Sequence, residues 1–299
     1  TVRSLNAAAR SPEVSLPTLL QWPPRRLVSD VGLDPDAARR VAAIEQPVHR
    51  ATTLVRRMKD AQAAVVVDGD SEYPKMLSDG LGADAPPVLF LGGERGVLQH
   101  RTVAVVGSRS PSRAARKAAT CFSRRMAEAG WTVVSGGARG IDTAGHHGAL
   151  QSGATAVVPP VGLLRFRWRS PARSWTGAGD WCVVGQFPPE AGWKTAHALR
   201  RNHTIVALSE ATVAFEPRDR GGTWRSARAT LRAGKPLFVL NASEDEAKRR
   251  GEETLCRSGA GRFTCDDLPS PEAFSRLVGS GHTQGRARQE PLFDTGDGT

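Results

Sequence analysis

The sequence predicts an α/β fold in which helices cover both faces of a parallel sheet. From residue 101 onward, short apolar runs typical of buried strands alternate with segments of helical periodicity. Glycine-rich loops separate several of these strands from the helices that follow, which is typical of strand–helix–strand units in a parallel sheet. The 299 residues, 39% of them hydrophobic, suffice for such a domain and for smaller flanking parts.

Three parts are expected along the chain. Residues 1–60 are predicted to form a small helical domain, residues 61–245 the α/β domain, and residues 246–299 a polar, glycine-rich tail that is partly disordered. In the first part, Asp34–Pro35 indicates a helix start. The preceding Gly32–Leu33 resembles the turn of a helix-hairpin-helix. The first part is therefore predicted to be a helix-hairpin-helix or SAM-like domain, which either binds DNA backbone or serves only for packing.

The elements of the α/β part follow from its apolar pattern. Turns at Tyr73–Pro74 and Pro86–Pro87 interrupt the lead-in. The helix after Ser110–Pro111 has an apolar face that includes Phe122 and Met126. A second helix is predicted after the loop that ends at Asp142 and runs to Gly153, and further helical stretches are predicted near residues 196–208 and 224–233. The lead-in contains two short apolar runs, Ala64–Val67 and Pro87–Leu91. The predicted strands are Thr102–Val106, Trp131–Ser135, Ala154–Val158, Trp181–Val184, Ala211–Phe215 and Pro236–Leu240.

The charge balance favours a polyanionic partner. The chain has 41 Lys and Arg against 30 Asp and Glu, a net charge of +11. Such an excess attracts nucleic acid and gains affinity from counterion release. A basic surface that only aids solubility is the alternative.

The composition also argues against several classes of protein. The four cysteines form no C-x-x-C pair, which argues against a zinc or redox site, and isolated thiols are typical of a reducing cytosol. No apolar run reaches the roughly 18 residues of a membrane span, and the first residues lack a signal-peptide pattern. We therefore expect a cytoplasmic protein without a metal or cofactor.

Three glycine-containing loops follow predicted strands, where open parallel sheets bind ligands. Each offers close backbone approach and the amino end of a helix, and the first adds a bidentate guanidinium. In the second loop Asp142 is interpreted as a helix cap, which leaves Ser135 and Arg139 to face a ligand. In the third loop Thr223 either binds a ligand or only caps its helix. The predicted anion-binding residues are Gly107, Ser108, Arg109, Ser135, Gly136, Gly137, Arg139, Gly140, Gly221, Gly222 and Thr223.

A basic and aromatic stretch covers residues 161–203, with seven Lys and Arg against two acids. The run 165–169 alternates arginines with aromatic rings, an arrangement with which proteins hold the phosphates and bases of single strands. The alternative is an edge strand with one packed and one solvated face. The predicted DNA contacts from this stretch are Arg165, Arg167, Arg169, Arg200 and Arg201.

At these loops the chain resembles the DNA-processing protein A (DprA/Smf) family, within a wider group of Rossmann-like nucleotide-sensing domains. The resemblance covers roughly residues 15–240, and the run Ser135–Asp142 is its most specific part. The matching stretches are Val103–Arg109, Val134–Asp142 with His146, Arg201–Asn202, Gly222–Thr223 with Ala227, Tyr73–Pro74 and Pro86–Leu91.

The resemblance implies an extended Rossmann-like parallel sheet and a basic pocket for single-stranded DNA. Arg109, Arg139 and Arg201 would line that pocket, and Asn202 would hold the adjacent loop. It also implies a homodimer that loads the RecA recombinase in natural transformation or related DNA recombination. On this basis the chain is predicted to be a DNA-binding protein and not an enzyme.

The chain departs from the family pattern at several positions. The family motif Phe-Pro-x-Arg-Asn-Arg reads Ala-Leu-Arg-Arg-Asn-His here, with Ala198 at the aromatic position and His203 at the last arginine. A Ser-Gly pair is replaced by Gly221–Gly222, and a Pro-Gly pair by Asn241–Ala242. The chain is therefore a divergent relative, and the resemblance alone does not predict base stacking at Ala198.

Two other functions are compatible with the fold. Phosphoribohydrolases of this fold need a carboxylate on the helix after the last glycine loop, but here Thr223 is followed by Trp-Arg-Ser-Ala-Arg. A sensor of small nucleotides is the other alternative. The net charge of +11 and the basic stretch argue instead for a longer polyanion.

A short motif near the end of the chain suggests one more partner. Gln289, Leu292 and Phe293 lie in Gln-Glu-Pro-Leu-Phe, which resembles the peptide that replication and repair proteins insert into the sliding clamp. Two adjacent apolar side chains could enter a pocket, and Pro291 lowers the cost of ordering. The alternatives are a chance match or packing of Leu292 and Phe293 on the domain.

Overall fold

The structure is a computed structural model that describes residues 16–44, 47–167 and 180–280. The chain divides into two compact units. The first comprises the residues up to Tyr73 together with Pro86–Val88, and the second comprises Pro74–Ala85 together with the chain from Leu89 onward.

The first unit is mainly helical. Asp34 begins α3 as predicted, because its carboxylate accepts the backbone N–H of Ala37 at 2.9 Å. Leu27, Leu33 and Val41 are buried between the helices. The Asp34 carboxylate thus occupies the helix end where a DNA phosphate would bind, which favours the packing role for this unit. The elements are α1 (Leu16–Leu19), α2 (Pro24–Val31), α3 (Pro35–Ala42), α4 (Pro47–Asp60) and β1 (Ala63–Val67).

The strands of the second unit lie in the order β2-β6-β5-β4-β3-β7-β8-β9. They are parallel from β6 to β9, and β2 joins β6 antiparallel. The α/β fold predicted from the sequence is confirmed. The strands are β2 (Val88–Gly93), β3 (Arg101–Gly107), β4 (Trp131–Ser135), β5 (Thr155–Val157), β6 (Trp181–Gly185), β7 (Ala211–Phe215), β8 (Leu237–Leu240) and β9 (Gly261–Phe263).

Helices pack on both faces of this sheet. On one face Val213 of β7 packs in a cluster with Phe122, and on the other Thr212 accepts a hydrogen bond from the Thr230 hydroxyl at 2.8 Å. Both faces of the sheet are therefore covered by helices, as is usual for a parallel sheet. The helices of this unit are α5 (Lys75–Leu81), α6 (Arg113–Glu128), α7 (Ile141–Ala149), α8 (Thr195–Ala207), α9 (Gly222–Arg232), α10 (Glu246–Arg257) and α11 (Pro271–Gly279).

The sequence suggested a polar, partly disordered tail over residues 246–299, but residues 246–280 are folded. They form α10, β9 and α11, and Phe274 of α11 is fully buried. Its ring centroid lies 5.3 Å from that of Phe122 and 5.4 Å from that of Trp131. The expectation was wrong because the segment contains few apolar residues, which is typical of a tail. Here those few residues are enough, since they pack against a core that the sheet already provides. Residues 281–299, with the predicted clamp motif, lie outside the described residues.

Candidate nucleic-acid interface

A cleft of about 520 Å³ opens at the carboxyl ends of the central strands. Strand β3 lies between β4 and β7, and the chain order reverses between β3 and β7. Open α/β sheets bind their ligands at such a reversal. The lining residues are Val106, Gly107, Ser108, Arg109, Ser110, Ala138, Asp142, Trp193, Thr195, Ala198, Leu199, Arg201, Asn202, Glu216, Arg218, Arg220, Gly222, Thr223 and Ser226.

The first and second loops are locked against each other by backbone contact. The N–H of Ile141 donates to the carbonyl of Ser108 at 3.1 Å. Gly140 has φ +93°, and a Cβ built on it would lie 2.3 Å from that same carbonyl oxygen. Glycine is therefore required at 140 both for the left-handed backbone and for the close approach.

Arg201 and Asp142 form the buried floor of the cleft. Nη1 of Arg201 lies 3.8 Å from Oδ2 of Asp142, and both side chains are less than a tenth exposed. Oδ2 of Asp142 also accepts the N–H of Ala138 at 3.2 Å. Asp142 is therefore not the N-cap that we expected, since α7 begins at Ile141 with Gly140 in the cap position. Its carboxylate instead holds the second loop and neutralises Arg201.

Burial opposes charge on both members of this pair. Burial raises the pKa of Asp142, and the Arg201 guanidinium acts in the opposite direction. Burial also lowers the pKa of Arg201, opposed by Asp142. Nε of Arg201 is buried without a hydrogen-bond partner among the described residues.

Some of the remaining residues of the second loop are packed in the interior, and others are exposed. Ser135 was expected to face a ligand, but it is fully buried and its hydroxyl donates to the carbonyl of Val105 at 2.5 Å. That correction reflects its position as the last residue of β4, inside the sheet. Gly137 has φ +69° and lies against Val157 and Phe166. Arg139 is exposed, and its Nη2 lies 3.4 Å from Oγ of Ser110.

The third loop carries Gly221, Gly222 and Thr223 into the start of α9. The cap position belongs to Gly221, with φ +94°, and no side chain caps the helix. Thr223 is therefore not the cap, and it lines the cleft. A Cβ on Gly222 would lie 3.7 Å from Nδ2 of Asn202, so Asn202 lies beside this loop.

The cationic rim of the cleft consists of arginines on the first and third loops. Arg109, Arg218 and Arg220 are exposed and line the cleft. Nη2 of Arg218 lies 3.0 Å from the Asp245 carboxylate. Only Arg109 among these three was predicted from the sequence.

Sequence reasoning missed the buried ion pair of Glu216 and Lys248. The Lys248 ammonium lies 2.6 Å from the Glu216 carboxylate, and both side chains are buried. The carboxylate also accepts the N–H of Ser112, and the ammonium lies 3.3 Å from the Ser110 carbonyl. One signal for this pair was present in the sequence, because Glu216 is an acid directly after the apolar run of β7. Its partner Lys248, however, lies in the segment that was expected to be partly disordered.

Within its described parts, residues 161–167 and 180–203, the basic stretch does not form one surface in the cleft. Residues 163–165 form a 3-10 turn and not an edge strand, and Arg167 donates to the Leu164 and Phe166 carbonyls at 2.9 and 2.7 Å. Arg165, Arg167 and Arg200 are exposed but are absent from the cleft lining. Of the predicted contacts in this stretch, the cleft contains Arg201. Arg169 lies outside the described residues.

His146 is buried behind the cleft. Its Nδ1 lies 2.7 Å from the Thr155 hydroxyl, which in turn donates to the Val133 carbonyl at 2.7 Å. Because the hydroxyl proton is used in that bond, Nδ1 of His146 must be the donor to Thr155. Burial, aided by Arg201, lowers the pKa of His146 to about 3.

Two classes of site find no support within the described ranges. None of the described helices combines the length and apolarity that a membrane crossing needs. Likewise, residues 16–44, 47–167 and 180–280 contain no group of three or more His, Cys, Asp or Glu side chains arranged to hold a metal.

Residues 64–269 match the family model of the DNA recombination-mediator protein A. Protein Smf of Escherichia coli K12 is 32% identical over 201 residues, which cover 65% of this chain and 53% of that protein. The DNA processing protein DprA of Streptococcus pneumoniae is 32% identical over 193 residues, 64% of this chain and 67% of that protein. The chain thus spans between about half and two thirds of these relatives.

Solved structures show the same architecture. The X-ray structure of DNA processing protein A from Streptococcus pneumoniae superposes with a TM-score of 0.71 at 25% identity, covering 89% of this chain and 90% of that one. The Helicobacter pylori DNA processing protein A, whose structure concerns its single-stranded DNA binding mode, superposes with a TM-score of 0.60 at 23% identity, covering 73% and 97%. The second likeness shows the shared fold.

Proposed function

Because the chain belongs to the DNA recombination-mediator protein A family, we propose that it binds single-stranded DNA in the cleft formed by its three glycine loops. The phosphates would contact Arg109, Arg201 and Arg220, together with loop N–H groups. The Helicobacter pylori relative supports this ligand through its single-stranded DNA binding mode. The net charge of +11 adds a general attraction to a polyanion.

The observation that carries the proposal is the charge distribution in the cleft. Each acid that lines it has its own buried cation, since Asp142 lies beside Arg201 and Glu216 is paired with Lys248. Arg218 of the rim is paired with Asp245. The exposed Arg109 and Arg220 therefore contribute positive charge that the acids of the cleft do not cancel. Guanidinium groups at the amino ends of helices are a suitable site for phosphate.

The same distribution argues against the phosphoribohydrolase alternative. That reaction needs a carboxylate free to act at the reacting centre. Asp142 and Glu216 are both buried and held in structural contacts, and α9 begins Gly-Thr-Trp-Arg-Ser without an acid. We therefore propose binding without hydrolysis.

The remaining partners are proposed from the sequence resemblance. A homodimer that loads RecA onto single-stranded DNA is the expected context, in recombination or natural transformation and in the cytoplasm. Sliding-clamp binding through Gln289, Leu292 and Phe293 stays a prediction from the motif alone.

The proposal is tested by measuring the affinity of the purified protein for three ligands at one salt concentration. These are a 20-nucleotide single strand, a duplex of equal length, and adenosine monophosphate. We expect the single strand to bind more tightly than the duplex and the nucleotide to compete weakly. Equal affinity for duplex, no binding of the single strand, or release of free base from the nucleotide would refute the proposal.

A further inference from the structure

Trp193 is the side chain of the cleft that the phosphate contacts leave unexplained. It is 57% exposed, the largest fraction among the exposed large hydrophobic side chains of the described residues. Among the described residues that line the cleft, it is also the one aromatic. An indole in water at the edge of a binding cleft gains free energy when a ligand covers it.

The surroundings of Trp193 leave space for a flat ligand. Trp193 precedes α8 by two residues, and the side chains of Thr195, Ala198 and Leu199 on the first turns of that helix line the same cleft. Because Ala198 has only a methyl side chain, this position of α8 takes up little space in the cleft. Nothing lies within 4 Å of a Cβ built on Gly192, which shows that the chain before Trp193 is open as well.

The other aromatic side chains near this region already have partners. The ring of Phe187 stacks on His197 at 3.9 Å and is buried. The Trp224 ring lies 6.0 Å from the Arg228 guanidinium. Trp193 thus contributes an aromatic side chain to a cleft whose rim carries the exposed cations Arg109 and Arg220. Cations that hold phosphates and a ring that holds a base are the two parts of a single-strand binding site.

We infer that Trp193 is the base-stacking platform of the cleft and that an unpaired nucleobase lies on its indole while the loop arginines hold the adjacent phosphates. The inference rests on the proposed binding of single-stranded DNA. The family motif has an aromatic residue at the position of Ala198. In this chain Trp193 would provide the preference for unpaired bases from a different position. Stacking is tolerant of sequence, so all four bases are accepted.

The test compares oligothymidylate of 20 nucleotides with an abasic strand of the same length and phosphate number. Fluorescence anisotropy of end-labelled strands gives the dissociation constants of the wild-type protein, Trp193→Ala, Trp193→Phe and Trp181→Ala. Trp181 is a suitable control because it is 39% exposed and lies at the amino end of β6, outside the cleft lining.

We expect the wild type to prefer oligothymidylate to the abasic strand. Trp193→Ala should weaken oligothymidylate binding about tenfold, the effect of one stacked base, and change abasic binding less than about twofold. Trp193→Phe should keep part of the preference, and Trp181→Ala should keep all of it.

Equal losses for both strands, or no loss, would overturn the inference. Equal losses together with an altered sedimentation coefficient would assign Trp193 to a contact between copies of the chain. If the wild type binds neither strand, the proposed function itself fails and this inference fails with it. A wild type that binds both strands equally leaves the proposed phosphate binding intact but excludes the stacking role.

Discussion

Gly136 leaves the space that the Arg201 guanidinium occupies. A Cβ built on Gly136 would lie 1.2 Å from Nη1 of Arg201 and 1.9 Å from its Cζ. The guanidinium can reach the floor of the cleft, beside Asp142, only because position 136 has no side chain. Gly136, which the sequence analysis assigned to an anion-binding loop, thus has a second role. It leaves room for the buried Arg201 side chain.

Gly136→Ala should displace the Arg201 guanidinium. We expect an overpacking cost of about 1–3 kcal/mol and a loss of single-strand affinity of about tenfold or more from the lost charge-assisted contact. Urea denaturation and anisotropy measure the two effects. Gly279→Ala is the control, because nothing lies within 4 Å of a Cβ there and both quantities should stay near wild type. A Gly136→Ala protein that binds normally would show that Arg201 does not contact DNA.

Acid should destabilise the second unit through His146. Its pKa is lowered to about 3 in the folded state, so between pH 6.5 and that value the unfolded chain binds a proton that the folded chain does not. Stability contributed by the neutral imidazole is therefore present above pH 6.5 and declines as the pH falls, by about 1.4 kcal/mol per pH unit.

Replacement of this histidine isolates its contribution. His146→Asn keeps a donor for the Thr155 hydroxyl but cannot titrate, so its free energy of unfolding should vary less between pH 6.5 and 4.5 than that of the wild type. Denaturant titrations at several pH values measure the difference. Parallel pH dependences for wild type and His146→Asn would contradict the buried neutral imidazole.

Removal of the Phe274 side chain tests the folded segment after residue 245. Phe274 is fully buried against Phe122, Trp131 and Phe238. Phe274→Ala should lower the free energy of unfolding by about 3–5 kcal/mol, as expected for a large cavity in a core. Arg276→Ala, on the exposed face of the same helix, should change it by less than about 0.5 kcal/mol. Equal stabilities for the two variants would mean that this segment does not pack on the domain.

The Glu216–Lys248 pair should behave as a coupled unit. Glu216→Gln leaves the buried ammonium without its counter-charge, and we expect a cost of about 3–5 kcal/mol. Glu216→Gln combined with Lys248→Met removes both charges and should recover much of that loss. A double-mutant cycle in urea measures the coupling free energy. Additive losses would show that the two side chains do not depend on each other.

The fold could be predicted to a large extent because its signal is local. Apolar runs such as Thr102–Val106 and Ala211–Phe215 are buried on both faces, and the apolar face of α6 was readable from its period. The exception was the segment after residue 245. There Phe274 is stabilised by aromatic residues 36 to 152 positions away in the sequence, and a local pattern cannot show such distant partners.

The site was predictable in position but less so in the role of each side chain. The glycine loops identified the edge of the sheet where the cleft lies. Ser135 was assigned a wrong role because one residue along a strand decides between cleft and interior. Asp142 was assigned a wrong role because its carboxylate contacts the Ala138 N–H and Arg201, and Gly140 takes the cap position. Glu216 was missed as a site residue because its role depends on its buried partner Lys248. Trp193 was missed because its role depends on its exposure, which a local sequence pattern does not show.

The salt dependence of single-strand binding in Arg109→Ala tests the central claim most directly. Arg109 is exposed on the first loop and lines the cleft, whereas Lys117 is exposed on α6 outside the lining. In a plot of log Kd against log salt concentration, loss of one phosphate contact should reduce the slope by about 0.7. We predict this change and weaker binding for Arg109→Ala, with Lys117→Ala unchanged from wild type. An Arg109→Ala protein with wild-type affinity and slope would contradict DNA binding in this cleft.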